Sequence, residues 1–169
     1  LFDKNAQIQP NNSKKLGEKI LMDEDGTVWG MNRLTGIFYQ LTDKSRIYQT
    51  DFHEYIHLFD FTFFGKQQIL LASSRGLFLF DKKTLTYSEP LTQDWLIKVF
   101  VDSENQIWTA SAYGELRVQE AIEQADGSLS IEPIKPFTIV GIVHHITEDK
   151  SRNGVWVGTS EGLLLIDIF

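Results

Sequence analysis

Cysteine is the first residue type that the 169-residue sequence lacks. Its absence excludes disulfide bonds, zinc sites built from thiolates and cysteine nucleophiles. Long hydrophobic runs are missing as well, since runs such as residues 69–72 and 163–166 reach only four members. A membrane-spanning helix needs roughly 20 apolar residues, so no transmembrane segment is predicted.

Basic residues are scarce relative to acidic ones. Lysine and arginine number 16 against 23 aspartates and glutamates, which gives a formal net charge of −7. Because nucleic acids and anionic membranes attract basic proteins, we expect no nucleic-acid partner and no direct membrane contact. The 12 glycines and 4 prolines exclude collagen-like and proline-rich classes, while 42% hydrophobic and 12% aromatic content indicates a folded core.

An internal repeat organises the residues that are present. Four segments each contain a large anchor residue that is followed six or seven residues later by a glycine. The anchors are Trp29, Leu70, Trp108 and Trp156, and the glycines are Gly36, Gly76, Gly114 and Gly162. Successive anchors are 41, 38 and 48 residues apart, and a turn-forming run rich in Asp, Asn and Gly precedes each tryptophan. A period of about 40 residues indicates a repeat architecture.

Hydrophobic residues alternate with other residues before each anchor and after each repeat glycine. Val99 and Val101 precede the anchor Trp108 in this way, and Leu77 and Leu79 follow Gly76. Such alternation, bounded by turn residues, predicts β-strands. Each repeat therefore contains an inner strand, the anchor strand, a third strand and a looser fourth strand. Four short antiparallel strands in about 40 residues are typical of a β-propeller blade, whose tryptophans are predicted to fill the gaps between blades.

We therefore predict an all-β fold of about four β-propeller blades, with residues 1–169 forming a single propeller segment. The predicted repeats are residues 1–15 (partial), 16–52, 53–92, 93–138 and 139–169 (partial). Residues 1–4 match the third strand at residues 79–82, and the sequence ends in another third strand, so we expect an open arc of a larger propeller. Its exposed end faces would be covered by further blades or by a second copy of the chain. A closed four-bladed ring is the alternative.

Residues 115–125 fit the strand pattern less well. The segment is rich in helix formers, and its apolar positions follow neither the helical nor the strand period. We expect a strand to about Val118 and then an irregular excursion before the Asp126-Gly127 turn, with a short inserted helix as the alternative. An insertion here fits the long interval between Trp108 and Trp156.

The fourth repeat carries the clearest motif, in residues 154–164 (GVWVGTSEGLL). Together with residues 146–149, it resembles the two-component regulator propeller repeat, which the first and third repeats match fairly and the second poorly. The resemblance implies a ligand-sensing segment from the periplasmic region of a hybrid two-component system, of a family that responds to products of glycan breakdown. The motif is structural, so it implies no catalytic residue, metal or cofactor, and no enzymatic activity in this segment.

One motif points to different chemistry, the HEYIH run that begins at His53. On a helix, His53 and His57 could bind Zn²⁺ while Glu54 served as the general base of a metallopeptidase. On a strand the two histidines lie about 13 Å apart, too far to share one ion. A strand or linker is therefore preferred, and a zinc metallopeptidase is kept as an alternative function. A generic protein-binding propeller scaffold is the other alternative.

Candidate ligand-binding residues come from the turns between second and third strands, because equivalent turns on successive blades lie on one face of a propeller. These turns contribute Arg33, Arg75, Tyr113 and Glu161. Trp95 lies outside the repeat register, just before an inner strand, and is a candidate exposed platform for stacking a sugar ring. The expected partner is an oligosaccharide or another small ligand. Of the adjacent histidines at 144 and 145, one is expected to face the central channel.

Overall fold

Four antiparallel sheets, here called blades 1 to 4, make up the fold. The computed structural model describes residues 19–33, 36–40, 47–49, 56–125 and 128–167, and all regular elements in them are strands. Blade 1 contains β1 (Lys19–Met22), β2 (Val28–Asn32), β3 (Gly36–Gln40) and β4 (Ile47–Gln49). Blade 2 contains β5 (Leu58–Phe64), β6 (Gln68–Ser73), β7 (Gly76–Asp81) and β8 (Thr86–Tyr87). Blade 3 contains β9 (Leu96–Val101), β10 (Ile107–Ser111), β11 (Glu115–Glu123) and β12 (Leu129–Thr138), and blade 4 contains β13 (Val143–Asp149), β14 (Gly154–Thr159) and β15 (Gly162–Asp167).

Within every blade the strands pair with their neighbours in chain order, so each blade is an up-and-down antiparallel meander. This arrangement confirms the predicted all-β architecture of propeller blades. The described part of the chain contains no helix long and apolar enough to span a membrane.

The hairpin between the first two strands of blades 1, 3 and 4 is built around one aspartate. In blade 3, Oδ1 of Asp102 accepts hydrogen bonds from the backbone N–H groups of Glu104 (3.0 Å) and Gln106 (2.9 Å). Its Oδ2 accepts the indole N–H of Trp108 at 2.7 Å. Equivalent indole bonds join Trp29 to Asp23 at 2.8 Å and Trp156 to Asp149 at 3.0 Å. The spacing of Asp and Trp in the repeat therefore has a structural reason. The aspartate side chain forms the turn and also accepts the hydrogen bond of the indole N–H.

Three separate hydrophobic clusters lie between neighbouring blades. Trp29 belongs to the cluster between blades 1 and 2, and Trp108 to the cluster between blades 3 and 4. Leu70 takes the same position between blades 2 and 3. Strand alternation directs successive residues to opposite faces, so each blade contributes to the cluster on either side of it. The prediction that the tryptophans fill the gaps between blades is confirmed for Trp29 and Trp108. It is wrong for Trp156, which is half-buried and belongs to none of the three clusters.

The predicted irregular excursion after Val118 is wrong, and so is the alternative of an inserted helix. Strand β11 continues to Glu123 and pairs with β12 from Glu115↔Thr138 to Glu123↔Leu129, with one register shift after Val118. Ala121 packs against the cluster between blades 2 and 3. Cross-strand pairing and this packing outweigh the helix propensity of the segment. The register shift also explains why its apolar positions follow no single period.

The outward faces of the first and last blades expose apolar side chains. On blade 1, Ile20 and Met22 are 64% and 68% exposed, and on blade 4, Leu163 and Leu165 are 65% and 38% exposed. Trp156 lies opposite Leu165 and is half-buried on the same outward face. These faces carry large apolar side chains, as the faces that pack inside the molecule do.

Acid is expected to weaken blade 4 through Asp149. Hydrogen bonds from the Ser151 side chain and the Trp156 indole lower the pKa of the Asp149 carboxyl to about 2. A carboxyl with a lowered folded-state pKa stabilises the fold above its unfolded pKa, and this stabilisation disappears as the pH falls through the folded value. The free energy of unfolding, measured in urea, should therefore fall between about pH 4 and about pH 2. The unfolding free energy of the Asp149→Asn variant should fall less steeply in that interval. An unchanged slope would count against Asp149 as the source of the acid sensitivity.

Candidate functional site

A row of aromatic and cationic side chains crosses the end of the molecule that carries the turns between second and third strands. The Arg33 guanidinium lies over the Phe59 ring, with 4.5 Å from its Cζ to the ring centre. The Phe59 ring centre is 6.1 Å from that of Trp95, which in turn lies edge-on to Tyr113 at 6.3 Å. Tyr113 and Trp95 are 81% and 42% exposed. Blades 1, 2 and 3 thus contribute to one surface, here called the aromatic row.

The local structure explains how these residues meet. In an antiparallel meander, the turn between the second and third strands lies at the same end of the blade as the start of the first strand. Arg33 and Tyr113 occupy such turns, whereas Phe59 lies near the start of inner strand β5 and Trp95 directly before inner strand β9. The backbone N–H of Ala112 donates to the Trp95 carbonyl at 3.0 Å, which ties the Trp95 segment to the turn that carries Tyr113.

Two of the five candidates lie elsewhere. Arg75 lines a different cavity of about 380 Å³ together with Glu89, Pro90 and Gln93. Glu161 is exposed on blade 4, and its Oε1 lies 3.5 Å from the Ser160 hydroxyl. The structure therefore brings together Arg33, Trp95 and Tyr113 through Phe59, a residue that the repeat pattern did not single out.

Next to the aromatic row, a cavity of about 390 Å³ lies against the inner strands of all four blades, and Phe59 is part of its wall. Each inner strand contributes one ionisable residue to this cavity: Lys19, Asp60, Lys98 and His145. Their strand partners are Met31, Ala72, Ala110 and Gly158. Each partner stands two residues after the anchor of its blade, so the four ionisable groups occupy equivalent positions. We call these four residues the inner ring.

The charges of the inner ring are unequally compensated. Asp60 is 4% exposed, and its Oδ1 lies 2.6 Å from the Lys19 ammonium. Asp60 also accepts the backbone N–H groups of Phe61 at 3.0 Å and Val99 at 3.2 Å. The Lys98 side chain has no hydrogen bond or ion pair with any residue that the structure describes. Among the described residues, one positive charge in the ring therefore has no partner.

Sequence reasoning missed the inner ring, although a signal for it exists. Lys19, Asp60 and Lys98 stand ten residues before the anchors Trp29, Leu70 and Trp108. His145 stands eleven residues before Trp156 because the turn at Asp149 holds one extra residue. Of the paired histidines, His145 lines the cavity.

The HEYIH motif falls mostly outside the described residues, which include His57 but not His53 or Glu54. His57 is exposed just before β5, where its backbone N–H donates to the Ser74 hydroxyl at 3.1 Å. Within the described ranges, no three His, Cys, Asp or Glu residues group in a way that could hold a metal ion.

Comparisons with known proteins give structural neighbours only. No protein-family profile matches the sequence, and no curated protein sequence is significantly similar to it. The fold is similar to the extracellular domain of a protein assigned to the hybrid two component systems of B. thetaiotaomicron, with a TM-score of 0.67, 18% identity and coverage of 87% of this chain. It is also similar to the extracellular domain of a protein assigned to the one component systems of the same organism, with a TM-score of 0.65, 16% identity and coverage of 97% of this chain. The β-propeller domain of Myceliophteria thermophila Cps50 gives a TM-score of 0.66 at 10% identity, over 82% of this chain and 53% of that one.

At identities of 10% to 18%, these neighbours show the propeller fold alone. The chain spans 21% and 23% of the length of the two B. thetaiotaomicron domains. The described residues share the arrangement of strands in blades with those domains.

Proposed function

We propose that this chain is a non-enzymatic, ligand-sensing propeller segment of a two-component sensor and that its ligand is an oligosaccharide. The observation that carries the proposal is the aromatic row, with exposed rings at Trp95 and Tyr113 beside the Arg33 guanidinium. Sugar rings present apolar C–H faces that stack on aromatic rings, while their hydroxyl groups accept hydrogen bonds from a guanidinium. The sequence resemblance to the sensor propeller repeat and the two bacterial neighbours support the same role.

The same proposal gives the chain a place in a larger protein. The segment would belong to the periplasmic region of a membrane-anchored sensor, with histidine kinase activity in another part of the protein. The outward faces of blades 1 and 4 would pack against further blades or a second copy of the chain, as the inner faces do. A ligand that binds better to one arrangement of blades than to another would shift the equilibrium between them.

Loss of one ring from the aromatic row is expected to weaken oligosaccharide binding. A thermal-shift screen of neutral and acidic oligosaccharides first identifies a binding sugar. Trp95→Ala should then raise its dissociation constant about tenfold, because a stacking contact contributes roughly 1 kcal/mol or more. Isothermal titration calorimetry measures the effect. Tyr113→Ala should act in the same direction, since this exposed side chain contributes little to the fold.

The matched control is Trp95→Phe, which keeps an aromatic ring and should retain most of the affinity. Binding that is unchanged in both alanine variants would refute the aromatic row as the sugar site. If a protein partner bound through these residues and no oligosaccharide in the screen did, the generic protein-binding scaffold would replace the sensing function.

A further inference from the structure

We infer that the inner ring is an oxyanion-binding site, which takes the carboxylate or sulfate group of an acidic sugar while the aromatic row holds the sugar rings. The sugar part of this inference rests on the proposed function, whereas the anion site rests on the inner ring itself. The cavity and the aromatic row share Phe59, so one ligand can contact both.

The charges of the inner ring favour an anion. The chain carries a net charge of −7, yet the inner ring contains two lysines and a histidine against one aspartate. Asp60 neutralises Lys19, whereas Lys98 is half-buried in the cavity wall and pairs with no carboxylate in the part of the chain that the structure describes. A cation that lacks a protein partner in a cavity attracts an anion more strongly than one on an open surface, because water screens the cavity less.

The backbone around Lys98 is held in place by Asp60. The Asp60 carboxylate accepts the backbone N–H of Val99, the residue next to Lys98, and so joins inner strands β5 and β9 directly. The same carboxylate holds the Lys19 ammonium at 2.6 Å. Asp60 therefore acts as a positioning residue that fixes the backbone around the free cation before a ligand arrives, and preorganisation of this kind lowers the cost of binding.

The cavity is large enough for a small ligand. A volume of about 390 Å³ lies in the range of small-molecule pockets and exceeds the share of a single water by roughly tenfold. It accommodates one sugar ring with its acidic substituent. A longer oligosaccharide would place its remaining rings on the aromatic row at the mouth.

The test uses D-glucuronate and D-glucose, two monosaccharides that differ in one carboxylate, added to the full chain at constant ionic strength. We expect glucuronate to shift the backbone amide NMR signals of Asp60, Lys98 and His145 saturably and to bind at least tenfold more tightly than glucose. Lys98→Gln should weaken glucuronate binding about tenfold, equivalent to about 1.4 kcal/mol. Lys98→Arg, which keeps the charge, should retain it.

Lys66→Gln is the matched control, because it removes the same charge from a side chain that is 85% exposed in the turn at the opposite end of blade 2. It should leave glucuronate binding unchanged. Equal binding of the two sugars, or glucuronate binding that is insensitive to Lys98→Gln, would overturn the anion site.

The two proposals fail in different ways. Glucuronate binding that depends on Lys98, together with no effect of Trp95→Ala on any oligosaccharide, would keep the anion site and remove the proposed sugar function. Oligosaccharide binding that depends on Trp95 but is the same for neutral and acidic sugars would keep the proposed sugar function and remove the anion site.

Discussion

Replacing Gly76 with alanine is expected to destabilise the fold by at least about 3 kcal/mol. This loss is a large fraction of the unfolding free energy of a typical domain. Gly76 has φ of +126°, a conformation that side chains disfavour. A Cβ at this position would lie 1.7 Å from the Thr92 carbonyl oxygen and 2.7 Å from its carbon. The obstacle is backbone, held in place because the Leu77 carbonyl accepts the N–H of Leu91 at 2.7 Å. Urea unfolding followed by circular dichroism measures the loss.

Gly65 provides a matched control in the same blade. Its φ is +60°, and nothing lies within 4 Å of the Cβ that alanine would add. Gly65→Ala should therefore cost only the backbone strain, about 1 kcal/mol. If the two variants lost equal stability, the close contact between Gly76 and the Thr92 carbonyl would not be the reason why the repeat requires glycine there.

This glycine illustrates what a repeat in a sequence can and cannot predict. The spacing of anchor and glycine is sufficient to predict a turn, and all four repeat glycines do have positive φ, from +81° to +139°. The packing of Gly76 against Thr92 depends on the loop that enters the next blade, which the repeat does not encode. The role of the aspartate is a similar case. A turn at Asp102 follows from its sequence, but its bond to the Trp108 indole becomes visible only in three dimensions.

The candidate site was predictable to a smaller extent. Arg33 and Tyr113 were found because equivalent turns share one face, and Trp95 because it lies outside the repeat register. The same turn rule also selected Arg75 and Glu161, which lie away from the aromatic row, because a shared register places residues on one face without bringing their side chains into contact. Phe59 could not be found in this way, since inner-strand alternation predicts burial and says nothing about which ring reaches the mouth of the cavity.

Replacing Trp108 with alanine is expected to cost about 4 kcal/mol in unfolding free energy. The side chain is 1% exposed in the cluster between blades 3 and 4 and stacks on Phe137 with ring centres 6.4 Å apart. Its removal would leave a large cavity and would also deprive Asp102, which is 5% exposed, of the indole N–H at its Oδ2. A buried acceptor without a donor adds its own penalty to that of the cavity. Urea denaturation of the 169-residue chain measures the change.

Trp156 is the matched comparison, because it has the same place in its blade and the same bond from its indole to an aspartate. It differs in being half-buried on the outward face of blade 4, where solvent already reaches part of the ring. Trp156→Ala should therefore cost about 1 to 2 kcal/mol, at most about half of the loss at Trp108. Equal losses at both positions would mean that the outward face of blade 4 is covered in solution, and a sedimentation measurement would then distinguish a dimer of this chain from a monomer. Unequal losses would show that the stability contributed by each anchor depends on whether another blade lies against it.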